Sequence, residues 1–144
     1  MKLIKEYALM WPRKLYSLRE GNDTIKSFRD ALKDKPGIYV LYKGEEVFYI
    51  GKAIGKNNKK GCLFKRIQNH ALQYNDKYSH SWDHFSAFVV TEEARPLVNE
   101  LEGLIQFTCP RSRNVSRRLQ GKKIKLPNEA SNALKMSLFE DASN

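Results

Sequence analysis

The sequence predicts a small α/β domain of the α+β type, an antiparallel sheet flanked by helices. Three observations carry that prediction. First, Gly37-Ile38-Tyr39 and Tyr49-Ile50-Gly51 are aromatic and β-branched runs either side of a charged trio with a central glycine, Lys43-Gly44-Glu45, which suits a hairpin. Second, Trp82–Val90 alternates with period two, placing Phe85, Ala87 and Val89 on one face and Phe88 and Val90 on the other. Third, the stretches around these strands carry apolar residues at helical spacing and end at proline or polar loops.

Taken in order, Trp11-Pro12 interrupts any long helix near the N-terminus, because proline lacks the amide proton and restricts the residue before it. A helix over Thr24–Lys33, capped by Asn22 or Asp23, aligns Ile25, Phe28 and Leu32, and Pro36 stops it. Residues 1–36 are therefore expected to form an N-terminal helical extension. A three-residue hairpin loop would pair Tyr42 with Glu46 and set Tyr39 opposite Tyr49, so that both phenols project from one face. Gly37 and Gly51 bracket the hairpin, where a strand glycine often marks close backbone approach.

Residues 52–61, with four lysines, two glycines and two asparagines, read as a cationic loop. A helix over Cys62–Tyr74 has Leu63, Ile67 and Ala71 as its apolar line, and Arg66 and His70 one turn apart on one face. Residues 75–81 read as polar loop. Glu92-Glu93 is expected to open a further helix, with Pro96 in its first turn and Leu97, Leu101, Leu104 and Ile105 as its core face. On that helix Glu100 and Glu102 stand about 200° apart and cannot face the same way. Pro110 ends it, and a tail over 128–144 could form a last amphipathic helix through Ala130, Leu134 and Leu138.

The length of 144 residues and a hydrophobic content of 41% suit one globular domain, 1–144, divided into the extension 1–36, a core 37–118 and a C-terminal extension 119–144. No apolar run approaches the roughly 20 residues of a membrane helix, nor does the N-terminus have the apolar stretch of a signal peptide. Two cysteines are too few for a disulfide framework or a four-cysteine zinc site. A cytoplasmic chain with reduced thiols is expected. The net charge of +10 is concentrated: residues 110–127 hold seven cations and no acid. Such a segment suits a polyanion, most simply nucleic-acid phosphate.

Gly37-Ile38-Tyr39, then Tyr49-Ile50-Gly51-Lys52, then a helical arginine, then Leu101-Glu102-x-x-Ile105 followed by Pro110 and Asn114: this series resembles the GIY-YIG nucleases over roughly residues 35–118. The resemblance implies their fold, a three-stranded antiparallel sheet with flanking helices, and metal-assisted hydrolysis of DNA phosphodiester bonds. Tyr39 and Tyr49 match the two motif tyrosines, Arg66 the catalytic arginine and Glu102 the metal-binding carboxylate. Arg66-x-x-x-His70 and the Glu102–Asn114 interval are similar to the restriction-endonuclease branch, which uses the histidine and asparagine at or beside its site. Trp82-Asp83-x-Phe85-Ser86 resembles a pattern of small standalone members. Many relatives have one more residue between glutamate and proline, which leaves Glu100 as the alternative carboxylate. Glu102 keeps Leu-Glu-x-x-Ile and the interval to Asn114.

The implied chemistry assigns a role to each group. Tyr39 deprotonates or positions the attacking water and His70 relays its proton. Arg66 grips a non-bridging phosphate oxygen with its fork of donors. One Mg²⁺ or Mn²⁺ sits on Glu102, and Tyr49 hydrogen-bonds water or phosphate. Lys52, Arg66 and the metal are expected to favour the Tyr39 phenolate, since nearby cations stabilise an anion. The DNA contacts are expected from Lys52, Lys56, Lys59, Lys60, Arg111, Arg113, Asn114, Arg117 and Arg118. A double-strand cut with one site per chain would need a homodimer, and specificity beyond the loops would need a partner subunit.

Overall fold

The computed structural model describes residues 1–17, 23–55, 61–72 and 81–109, and in the tail 122, 125, 128 and 132–136; the side chains of 23–25 are not described. The strands are β1 (Ile4–Pro12), β2 (Gly37–Lys43), β3 (Glu46–Ala53) and β4 (His84–Val90). The helices are α1 (Asp23–Leu32), α2 (Leu63–Leu72) and α3 (Val98–Thr108). Short 3-10 turns, Arg13–Ser17 and Arg95–Leu97, follow β1 and precede α3. The strands form one antiparallel sheet in the order β1-β4-β2-β3. None of the helices among the described residues is long and apolar enough to cross a membrane.

Strand β2 is buried along most of its length, as a central strand covered on both faces should be. Its alternation sorts the core. Tyr39 and Leu41 face one layer with Phe85, Ala87 and Val89 of β4, Leu63 and Ile67 of α2, and Phe28 and Leu32 of α1. Ile38 and Val40 face the other, with Ile50, Val90, Ala94 and Val98. Helices α1 and α2 thus cover one face of the sheet and α3 the other.

Four sequence-based expectations are corrected. The sheet has four strands rather than three: the helix expected over Thr24–Lys33 is present as α1, but Ile4–Pro12, ahead of it in the segment expected to be helical, is a strand on the outer edge of β4. Two register shifts, at Ile4/Glu6 and Ala8/Trp11, break its period-two pattern. Its buried and half-buried residues are Ile4, Ala8 and Trp11, with Ile4 packed on the α3 face of the sheet and Trp11 on the α1 and α2 face.

The hairpin register also differs. Lys43 pairs with Glu46 around a two-residue turn, and a bulge between Leu41 and Tyr42 sets Tyr39 opposite Gly51 and Leu41 opposite Tyr49. Gly44 takes the left-handed φ of 61° that such a turn needs. Its amide donates to Asp83 Oδ2 at 2.9 Å, and that bond, with the His84 contact, holds the Asp83 carboxyl below its ordinary pKa. Because the new partners are two residues out of step, both tyrosines still share a face.

Glu92-Glu93 does not begin the helix. Residues 92–97 form turns and a 3-10 segment with Pro96 inside it, and α3 starts at Val98. The core face of α3 is accordingly Val98, Leu101 and Ile105, while Leu97 and Leu104 are exposed. In the tail, residues 132–136 are helical, with Leu134 exposed; Ala130 and Leu138 lie outside the described residues.

Candidate active site

The site is built across the end of the hairpin. Tyr39 of β2 is fully buried, and its ring lies across the backbone of Gly51 on β3. A Cβ at Gly51 would fall far inside contact distance of Tyr39 Cζ and Oη, and 2.8 Å from Cε1. Here is the physical reason for glycine in the second tripeptide: no other residue lets the phenol pass over the strand. Gly37 has a different reason, since a Cβ there would collide with the carbonyl of Phe88 on β4.

Tyr49, Tyr39 and His70 form a cluster of three rings. Centroids lie 6.2 Å apart for the two tyrosines, 5.6 Å for Tyr39 and His70, and 4.9 Å for Tyr49 and His70. Tyr39 Oη and His70 Nε2 are hydrogen-bonded at 2.8 Å. His70 reaches this position from the last turn of α2, whose Leu63, Ile67 and Ala71 are buried against the sheet. Arg66, one turn earlier, is exposed.

A polar stripe on α3 places the carboxylate. Asn99, Glu102 and Gln106 stand at i, i+3 and i+7 and share a face. Asn99 Oδ1 accepts a hydrogen bond from Lys52 Nζ, and buried Gln106 donates through Nε2 to the carbonyl of Ile50 at 3.3 Å. Half-buried Glu102 lies on the stripe between these two tethers, near enough for its charge to act on the Tyr39 phenol. Glu100 is exposed.

Burial is the first cause of a Tyr39 pKa pushed well above the ordinary phenol value; Tyr49 and the negative Glu102 add to it, and Arg66 alone opposes. The protein's own side chains thus push against the phenolate that the sequence reading expects from Lys52, Arg66 and a metal: desolvation, with Tyr49 and Glu102, outweighs one exposed guanidinium. Tyr16 behaves alike: buried, donating to the Phe64 carbonyl at 2.9 Å, its pKa is raised first by burial and then by Cys62.

A pH dependence of stability follows. In the unfolded chain both phenols ionise near pH 10, while in the folded chain they remain protonated. Above that pH the folded state holds more protons, so stability falls as pH rises. Each tyrosine contributes about 1.4 kcal/mol per pH unit in that range. Urea midpoints measured from pH 9 to 11 should decline less steeply for Tyr16→Phe than for wild type. Equal slopes would show that Tyr16 ionises freely in the fold.

A cavity of about 460 Å³ adjoins the cluster, lined by Lys52, Ala53, Ile54 and Gly55 at the end of β3 and by Gly61, Cys62, Lys65, Arg66 and Asn69 at the start of α2. Its charged lining residues are all cations. Among the described residues no group of three or more histidine, cysteine or acidic side chains gathers as a metal cluster. Glu102 with water and phosphate oxygens nevertheless suits a Mg²⁺ site, because that ion keeps several waters and commonly takes only one or two carboxylates.

Tyr39, Tyr49, Lys52, Arg66, His70 and Glu102 are thus accounted for around the hairpin end. Lys56, Lys59, Lys60, Arg111, Arg113, Asn114, Arg117 and Arg118 lie outside the described residues. Sequence reasoning missed Asn99, Gln106, Lys65 and Asn69. The spacing of Asn99, Glu102 and Gln106 was the available signal, a polar line on a largely apolar helix. Comparison of the chain with protein-family models, curated proteins and solved structures gave no match.

Proposed function

We propose that the protein is a metal-dependent DNA endonuclease of the GIY-YIG type. The observation that supports this best is the Tyr39 phenol laid over Gly51, hydrogen-bonded to His70 and acted on by both Arg66 and Glu102. A packed aromatic core has no need for an imidazole, a guanidinium and a carboxylate around one hydroxyl. Phosphodiester hydrolysis uses all of them.

Arg66 and Lys52, at the rim of the cationic cavity, bind the scissile phosphate, and Lys65 and Asn69 carry the strand onward across it. Tyr39 is fully buried without DNA and takes its role once the bound strand brings the attacking water against its hydroxyl oxygen, which accepts from the water while its own proton is hydrogen-bonded to His70 Nε2. As the water oxygen attacks phosphorus, Tyr39 takes the water proton and passes its original proton to the imidazole. A neutral imidazole accepts a proton at Nε2, which makes His70 the final acceptor in the protein. The phenol never persists as a phenolate, in keeping with its burial. The P–O3′ bond breaks and the leaving 3′ oxygen is protonated by solvent, giving a 5′ phosphate and a 3′ hydroxyl. A Mg²⁺ or Mn²⁺ ion held by Glu102 would supply charge neutralisation at the phosphate and the departing oxygen.

The purified chain should nick supercoiled plasmid with Mg²⁺ or Mn²⁺, stop in EDTA, and leave 5′-phosphate ends on mapping. DNA binding without any metal-dependent nicking would assign it instead as a binding module. Cutting only with a second protein present would make it the catalytic subunit of an assembly. Site-specific double-strand cutting by the chain alone would point to a homodimer.

A further inference from the structure

The proton acceptor in this scheme stands on the last described turn of α2, and the orientation of that turn sets the 2.8 Å bond of His70 to Tyr39. The group that holds this turn comes from far away in sequence. Arg13, in the 3-10 turn after β1, donates through Nη2 to the carbonyl of Ala71 at 2.9 Å and through Nη1 to the carbonyl of Trp82 at 3.2 Å. Its guanidinium also lies 5.0 Å from the centre of the Trp82 ring. Trp82, buried, donates in turn from Nε1 to the carbonyl of His70 at 3.4 Å. Two consecutive carbonyls of α2, at positions 70 and 71, are thereby bound by one stacked arginine–tryptophan pair.

The remainder of the Trp82-Asp83-x-Phe85-Ser86 pattern fixes the arginine. The Arg13 amide donates to the carbonyl of Asp83 at 2.8 Å. Ser86 Oγ, buried in β4, accepts from the Met10 amide at 3.1 Å. Met10 has a φ of 53°, an uncommon value for a bulky residue, and lies in the β1 bulge between Ala8 and Trp11. Bulges re-aim the chain that follows them, and strain of this kind persists only where its surroundings impose it. Without that bulge, a strand continuing in regular register would present Arg13 differently to α2.

We infer that Arg13 and Trp82 are positioning residues which set the His70 imidazole against the Tyr39 hydroxyl, so that the β1 segment is part of the catalytic apparatus. The inference rests on the nuclease reading for its kinetic consequence, but the placement of the imidazole can be measured without any cleavage. Among the described residues the ionisable groups around His70 are Tyr39 and Tyr49 from the hairpin and, one turn back on its own helix, Arg66; Arg13 reaches the backbone of the same turn. Displacing the ring changes its distance to each phenol.

The test uses Trp82→Phe, which keeps an aromatic ring beside the guanidinium and removes the Nε1 donor together with part of the indole's volume, and Arg13→Lys, which keeps the charge and loses the two-carbonyl fork. In the full-length protein, side-chain nitrogen and proton NMR follows the His70 titration and tautomer. Both variants are expected to shift that titration from wild type and to lower single-turnover cleavage about ten- to a hundredfold. The pH profile of kcat should shift with it, with KM within about twofold, as expected when only the reacting geometry is disturbed. If His70 resonances and the pH profile stay at wild-type positions while the melting temperature falls, the pair is merely structural and the inference is overturned. If the resonances move but no preparation cleaves DNA, wild type included, positioning stands and the nuclease reading fails. Should Arg13→Lys not fold, Trp82→Phe decides alone.

Discussion

Replacing Glu102 by glutamine is expected to lower metal-dependent cleavage by about a thousandfold or more while leaving the fold intact and DNA binding unchanged or tighter. The substitution is nearly isosteric, so the packing of half-buried α3 is kept. What it removes is the negative charge beside the Tyr39 phenol and the carboxylate proposed to hold the ion. Because a carboxylate near the DNA backbone repels phosphate, its neutralisation should not weaken binding. The informative control is Glu100→Gln. Glu100 is exposed and lies about 200° around the helix from Glu102, so its rate should stay within about twofold of wild type. Single-turnover rates with enzyme in excess, together with gel-shift titrations in EDTA, separate the two effects. A Glu100 variant as inactive as the Glu102 variant would move the ion to the other face of α3. Loss of binding with cleavage per bound complex preserved would remove the metal role from Glu102.

The sequence was most legible where side chains alternate or recur without interruption. Strand β4 shows its two faces in Phe85, Ala87 and Val89 against Phe88 and Val90, and the structure divides them in the same way. Helix α2 likewise buries Leu63, Ile67 and Ala71 as its periodicity indicates. Legibility failed at backbone irregularities. Two register shifts in β1 break the alternation of buried residues, so that the segment shows no period-two pattern, and its pairing with β4 is what reveals it as a strand. The hairpin bulge changed Tyr39's partner from Tyr49 to Gly51, and that change exposes the use of the glycine.

In the candidate site, individual residue types were legible but their environment was not. Tyr39, His70, Arg66 and Glu102 could be singled out by spacing and resemblance, yet whether a phenol is ionised depends on burial, which a motif does not encode. The same holds for support. Arg13 is 57 positions from His70 in the chain, and nothing local to either marks the link through Trp82. Lys65 and Asn69 look like ordinary exposed helix residues until the end of β3 is set opposite them.

Gly51→Ala should be strongly destabilising, although it adds only one methyl group. In an ordinary strand the change would be neutral or helpful, since alanine loses less backbone entropy than glycine on folding, by roughly 0.5–1 kcal/mol. Here the new Cβ enters space held by the far end of the Tyr39 ring. A flexible exposed side chain would swing away. Tyr39 cannot do so, being fully buried, flanked by the rings of Tyr49 and His70, and tied to His70 Nε2 at 2.8 Å. Either the strands part or the phenol leaves the site. The expected cost is about 3 kcal/mol, at the upper end of overpacking penalties, and cleavage should be lost with it. A double-mutant cycle isolates the cause. Tyr39→Leu is itself destabilising, by about 2–4 kcal/mol, through the cavity it leaves. It also removes every atom that the Cβ would strike, so adding Gly51→Ala to it should cost nothing more or restore a few tenths of a kcal/mol. Urea denaturation of the four proteins gives the coupling, expected at about 3 kcal/mol, well above the error of independent sites. Equal costs of Gly51→Ala in both backgrounds would mean that the phenol does not cross the strand at that point, and the route by which Tyr39 meets Glu102 and Arg66 would be lost with it.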